Sequence, residues 1–168
     1  MATKKIEVTK FQGGGTKLID GVVVKPLNCI PDERGWLMEI FRADDPMFEK
    51  FGQVYLTVAY PEVVKAWHYH REQTDHFCCI KGMIKVVLYD DREGSPTRGQ
   101  VNEFFLGDKK LALLRIPKGV LHGFKGIGVE PGYLVNVPDR LYDSTDPDEY
   151  RVPAHDNDIP YDWARQDG

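Results

Sequence analysis

The chain has 168 residues, of which 42% are hydrophobic and 29% charged, and a formal net charge of −4. This is ordinary globular composition, enough to bury a core and consistent with one domain over residues 1–168. The negative balance gives no general attraction for nucleic acid or an anionic membrane, and no apolar run approaches the roughly 18 to 20 residues of a bilayer span.

The start, MATKKIEVTK, lacks the apolar stretch of a secretory signal, so a cytoplasmic location is expected. Cys29, Cys78 and Cys79 read as buried free thiols in that reducing compartment. Residues 19–25 and 53–59 are rich in β-branched and aromatic side chains and read as strands. The same pattern recurs at 76–80, 83–89, 101–106 and 111–116. Turn residues separate the segments: Lys81-Gly82, Glu93-Gly94-Ser95-Pro96, Gly107-Asp108 and Pro117-Lys118-Gly119. One helix is expected over 45–51, with Asp45 as cap and Pro46 in the first helical position. Residues 139–168 carry little periodicity. They are expected to be irregular but laid over the domain, since Tyr142, Tyr150, Tyr161 and Trp163 need a surface to pack on.

Two short segments carry the chemistry. The first is His68-Tyr69-His70 followed by Asp75 and Gly82; the second is Pro117-Lys118-Gly119-Val120-Leu121-His122. Residues i and i+2 of a strand share a face, so His68 and His70 can point the same way. The two-part pattern resembles that of a cupin barrel. The expected fold is therefore all-β, a cupin jelly-roll barrel with few short helices, in which the two segments lie on strands brought face to face. His68, His70, Asp75 and His122 would then converge. Three imidazoles and a carboxylate suit a divalent metal; without one, they make a proton-transfer site. His76 should face the other side, and His155 in the tail reads as a packing or surface residue.

Asp32 to Glu39 is the second informative stretch. Gly35 permits a tight turn, Arg34 can clamp a phosphate, and Trp36 offers a stacking face. Lys65 would add a cation at the cavity mouth. Such groups around a histidine-rich cavity fit a compact anion such as a nucleotide sugar.

At this point the chain resembles the dTDP-4-dehydrorhamnose 3,5-epimerase family. The resemblance rests on the Asp32 to Glu39 turn, Trp67-His68-Tyr69, the Asp91 to Gly99 loop and Ile116 to Phe124, and it spans roughly residues 18–163. It implies a dimeric, metal-free barrel acting on a nucleotide-linked 4-keto-6-deoxy sugar. In that family a histidine backed by an aspartate removes the proton beside the ketone. A lysine steadies the enolate, and a tyrosine returns a proton to the opposite face. By position His68 matches the base and Tyr133 the returning tyrosine. Arg34 and Glu39 match the nucleotide-contacting turn, His122 the histidine of the H-G-F segment, and Lys65 a substrate-binding arginine. The chain departs at three places. Asp75 stands where the lysine belongs, the supporting aspartate falls beyond Trp163, and the base-stacking tyrosine is replaced at best by Tyr142. His70 also stands in place of a glutamine.

The leading reading is an epimerase or isomerase of a nucleotide-linked keto sugar, with no cofactor and a homodimeric assembly. Two alternatives remain open: a metal-dependent cupin enzyme with His68, His70, Asp75 and His122 as ligands, and a non-catalytic sugar-binding barrel.

Overall fold

A computed structural model describes residues 8–11 and 15–166. Among these residues all regular structure is strand. One sheet runs, in spatial order, β1 (Val8–Lys10), β9 (Val101–Gly107), β8 (Met83–Tyr89), β11 (Leu121–Gly126), β6 (Val64–Tyr69) and β13 (Tyr150–Arg151). The other runs β2 (Val23–Pro26), β10 (Ala112–Ile116), β7 (Asp75–Lys81), β12 (Gly132–Asn136) and β5 (Tyr55–Ala59). A detached hairpin joins β3 (Ile30–Asp32) to β4 (Gly35–Leu37). Apart from parallel β1–β9, neighbours are antiparallel. The fold is a cupin jelly roll.

Alternation along the strands fills the barrel. Phe77 and Cys79 of β7, Ile84, Val86 and Leu88 of β8, Phe104 and Leu106 of β9, and Leu134 of β12 form one buried cluster between the sheets. Each fully buried apolar side chain of this size contributes about 1.5–3 kcal/mol. The outer faces are covered too. Residues from the 27–48 segment, including Leu27 and Met47, pack on Cys78 and Leu113. The tail lays Tyr161 and Trp163 against Trp67, Val87 and Leu121 on the outside of the other sheet. It also adds the two-residue β13 beside β6, where purely irregular chain was expected.

Two local features shape the site. Gly82 turns β7 into β8 at φ 70°, and a Cβ there would sit 2.3 Å from the Pro131 carbonyl oxygen. In β6, His68 pairs with His122 but Lys65 pairs with Phe124, so one extra residue is bulged opposite Gly123. The bulge turns Ala66 and Trp67 to the outer cluster and returns Lys65 to the same side as His68.

Three expectations are corrected. Residues 45–51 form no helix: the chain makes a single turn, with Phe48 N donating to the Asp45 carbonyl. The Asp45 carboxylate instead accepts from Lys25 Nζ and Arg42 N, and Gly52 N donates to the Pro138 carbonyl. One turn is too short to offset helix nucleation. Residue 19 lies outside β2 because Ile19 N donates to Asn102 Oδ1 and Val22 N closes a turn on the Ile19 carbonyl. Cys29 is exposed, whereas Cys78 and Cys79 are buried, with burial pushing their thiols up to about 12 and 11.

Candidate active site

His68 and His122 are cross-strand partners on β6 and β11 of one sheet, their ring centroids 4.1 Å apart. Asp75, at the start of β7, comes from the opposing sheet. The two motif segments thus supply neighbours within a sheet, with the carboxylate facing them. Potential ligand atoms of His68, His70, Asp75 and His122 all lie within 4.8 Å of one another. Asp75 Oδ2 is 3.2 Å from His70 Nε2 and 3.1 Å from His122 Nε2. His122 Nε2 nonetheless has no hydrogen-bond partner.

Hydrogen bonds hold the other polar atoms of His70, His122 and Asp75, and Gln73 Nε2 also lies 3.3 Å from His70 Nε2. His122 Nδ1 donates to the Val120 carbonyl at 2.9 Å, and His70 Nδ1 donates to the Asp148 carbonyl. Asp75 Oδ1 accepts from Gln73 Nε2 at 2.9 Å and from Asn136 Nδ2 at 2.7 Å. The Asp148 carboxylate accepts the backbone N–H groups of Arg71, Glu72 and Gln73, so the tail clamps the turn between the H-x-H pair and Asp75. Burial holds the His68 imidazole well below its usual pKa, with the neighbouring His122 adding to the effect. Burial alone would lower the His70 pKa, but the Asp75 carboxylate and the Asp148 carbonyl raise it. For Asp75 burial pushes upward, and the His122 and His70 imidazoles outweigh it and hold the carboxyl well below the usual range.

The cluster opens into a cavity of about 800 Å³ whose lining includes His68, His70, Arg71, Arg140, Tyr142 and Arg151. A second cavity of about 480 Å³, lined by Thr57, Lys65, Phe77 and Phe124, shares Tyr55, His68 and Arg151 with it. Lys65 Nζ donates to Thr57 Oγ1 at 2.9 Å. Tyr55 OH accepts from Asn136 Nδ2 at 2.9 Å, which leaves its own proton to donate; burial and the Asp75 charge push its pKa up to about 12.

Residues 16–167 match the profile of the dTDP-4-dehydrorhamnose 3,5-epimerase family. The chain belongs to this family of sugar-nucleotide epimerases. It is 49% identical over 147 residues to a probable low-salt glycan biosynthesis epimerase, Agl13, of Haloferax volcanii, covering 86% of this chain and 94% of the relative. It is 40% identical over 146 residues to the spore coat polysaccharide biosynthesis protein SpsL of Bacillus subtilis, covering 87% and 97%. The crystal structure of a dTDP sugar isomerase from Desulfovibrio desulfuricans superposes with a TM-score of 0.83 at 37% identity, covering 89% of this chain and 94% of that one.

Within the epimerase-family barrel, His68, His70, Asp75 and His122 are brought together, and Lys65, itself exposed, lines the smaller cavity beside His68. Arg34, Trp36 and Glu39 are not. They lie on or beside the detached hairpin, with Trp36 61% exposed, Arg34 paired to Asp32 at 2.6 Å and Glu39 to Arg42 at 2.7 Å. Tyr133 is also elsewhere, half-buried with its ring beneath Lys81 and absent from the cavity lining. Tyr55 lines both cavities, and Tyr142 and Tyr150 line the larger one. Sequence reasoning missed Tyr55, Gln73 and Asn136. The available signal was polar residues placed within or beside strand segments, such as the asparagine ending Gly-Tyr-Leu-Val-Asn. His76 faces outward as expected, 4.5 Å from the Phe41 ring, and His155 is exposed.

Proposed function

We propose that this epimerase acts on a nucleotide-linked 4-keto-6-deoxy sugar, removing a proton beside the ketone and returning one to the opposite face. The observation that carries the reading is His68, which opens onto both cavities and, unlike His70 and His122, makes no close contact with the Asp75 carboxylate. A neutral imidazole so placed is the base. Tyr55, whose hydroxyl accepts from Asn136 and keeps its own proton, replaces Tyr133 as the acid. Lys65, Arg71, Arg140 and Arg151 supply positive charge for the diphosphate, and Tyr142 a face for the base.

The chain works as a homodimer in this reading. The apolar hairpin, with Ile30, Trp36 and Leu37 all more than half exposed, meets a second copy, bringing Arg34, Trp36 and Glu39 to that copy's substrate. The relatives' names in glycan and spore-coat polysaccharide synthesis suit a product destined for polysaccharide assembly.

The test is incubation with dTDP-4-keto-6-deoxyglucose in D2O, followed by NMR and mass spectrometry. Deuterium should enter at carbons beside the ketone. His68→Asn should slow this by about 10²–10⁴-fold. Tyr55→Phe should block epimerised product while Tyr133→Phe leaves it within about twofold. Wild-type enzyme that exchanges no deuterium would overturn the reading.

A further inference from the structure

We propose that His70, held as an imidazolium between the Asp148 carbonyl and the Asp75 carboxylate, supplies the fixed positive charge that steadies the enolate formed beside His68. Both ring nitrogens of His70 face oxygen acceptors. Nδ1 is bonded to the Asp148 carbonyl, which can only accept. Nε2 stands 3.2 Å from Asp75 Oδ2. The Gln73 amide nitrogen lies 3.3 Å from the same ring nitrogen and donates to Asp75 Oδ1. A neutral Nε2 would accept from that amide, but its lone pair would then stand against a carboxylate charge in a buried site. A proton on Nε2 turns the same approach into a charge-assisted contact. His122 Nε2 does not serve Asp75 instead, since it lies 3.1 Å from Oδ2 without a hydrogen-bond partner.

Placement decides which charge a substrate meets. His70 lines the larger cavity, as His68 does, whereas Asp75 lines neither cavity and is 1% exposed. The imidazolium therefore stands between the carboxylate and the cavity, with the positive end of the pair toward the opening. The His68 and His70 ring centroids are 5.6 Å apart. When His68 takes the proton beside the ketone, the C–H electron pair becomes the new C=C bond and the carbonyl π pair moves onto oxygen. A fixed charge aimed at that oxygen needs no reorganisation as the reaction proceeds. Both N–H groups of His70 are held by protein acceptors, so the ring acts through its charge and keeps its protons.

The groups around the ring agree with this assignment. Burial opposes the charge on His70, and the Asp75 carboxylate of β7 and the Asp148 carbonyl of the tail outweigh it and raise its pKa. The Asp148 carboxylate itself accepts the N–H groups of Arg71, Glu72 and Gln73. The other titratable rings are His68 on β6 and His122 on β11, the latter with its centroid 5.8 Å away. Burial, His122 and the His70 charge all favour a neutral His68. One ring is then free to act as base while its neighbour carries the charge. Asp75, standing where the resemblance puts a lysine, serves the enolate indirectly by holding a cation in front of itself.

The role rests on the epimerase reading; the charge does not, and two measurements separate them. Long-range 15N–1H NMR of full-length protein labelled in histidine, assigned with His70→Gln, should show His70 mostly protonated on both nitrogens and His68 neutral at about pH 6.5, the ordinary histidine midpoint. Deuterium wash-in to dTDP-4-keto-6-deoxyglucose, measured against pH, should rise as His68 loses its proton and fall as pH climbs through the His70 value. Asp75→Asn keeps the shape but removes the charge that raises the His70 pKa, so it should move the alkaline limb down by about 1–3 pH units. His70→Gln should slow exchange by about 10²–10³-fold at the optimum and abolish that limb; a structural role alone would lower the whole profile without changing its shape. Circular dichroism identifies a variant that fails to fold, in which case the wild-type NMR and the other variant decide. Exchange with a His70 deprotonated at Nε2, a folded His70→Gln protein within threefold of wild type, or an unmoved limb in Asp75→Asn overturns this proposal and leaves the epimerase. Wild-type protein that exchanges no deuterium at any pH overturns the epimerase reading, and the enolate role with it, whatever the NMR shows.

Discussion

Gly123→Ala should damage the site from behind, without touching a catalytic atom. A Cβ at Gly123 would lie 2.2 Å from Ala66 Cβ, 2.8 Å from Ala66 Cα and 3.0 Å from the Lys65 carbonyl oxygen. Ordinary contact begins near 3.4 Å, so the shortfall at Ala66 is about 1.2 Å. Two of the three obstacles are backbone and the third is an alanine methyl, so no rotamer change relieves them. β6 must instead move away from β11 by about 1 Å, against a normal strand spacing of about 4.8 Å. Overpacking of this kind costs about 1–3 kcal/mol, and the upper half of that range is expected here. His68 lies two residues beyond Ala66 on the displaced strand. A 1 Å misplacement of a catalytic group costs about 10²-fold in rate. Urea unfolding at fixed protein concentration and deuterium wash-in into the keto sugar measure the two effects. Adding Ala66→Gly removes the 2.2 Å contact but not the other two, so the double variant should recover roughly half the lost stability, less the usual 0.5–1 kcal/mol or so for a strand glycine. A Gly123→Ala protein within about 0.5 kcal/mol and twofold of wild type would refute the reasoning.

Other expectations concern the frame around the site. Asp90 is fully buried and accepts from Ser95 Oγ and Thr97 Oγ1, both at 2.6 Å, and from the Arg92 guanidinium. Burial would raise its pKa, but these partners hold it well below the usual carboxylate range. Its contribution to stability is therefore present above the unfolded-state pKa of about 3.9 and is lost as pH falls through the lower folded value. Asp90→Asn should cost about 3–5 kcal/mol at pH 7 and flatten the acid limb of the stability profile; an unchanged limb would contradict this. In native protein a thiol reagent should modify Cys29 within minutes, with Cys78 and Cys79 reacting only on denaturation. Rapid labelling of more than one thiol per chain would show that the β7 face is open. Asp148→Ala removes acceptors for three backbone N–H groups and should cost about 1–3 kcal/mol; urea unfolding checks this, and an unchanged midpoint would contradict it.

Strand positions were legible because the barrel interior imposes a period of two, visible in Asp75, Phe77 and Cys79 against His76, Cys78 and Ile80. The convergence of His68, His70, Asp75 and His122 was legible for the same reason. What could not be read is whatever depends on the outside of the sheets. All six residues of β11 are buried, including Lys125, whose ammonium reaches the Trp163 carbonyl at 3.1 Å, so burial there does not alternate. The bulge that puts Lys65 on the same side as His68 leaves no mark in composition, since three residues along a regular strand would put it on the opposite face. Tyr133 and Tyr55 are each a tyrosine in an apolar strand, and only the pairing of β12 with β5 and β7 decides which reaches the cavity. The helix expected at 45–51 failed because the capping residue found better partners in Lys25 and Arg42.

The clamp formed by Asp148 ties two events that are usually separate. Residues 140–151 contribute much of the wall of the larger cavity, and Asp148 within them holds both His70 Nδ1 and the turn that follows. This wall cannot swing outward without releasing the imidazole. A sugar nucleotide too bulky for the closed cavity would therefore be admitted only by a protein whose His70 is, for that moment, unmoored, and the size of the entrance and the constancy of the inner cluster are set by the same few hydrogen bonds.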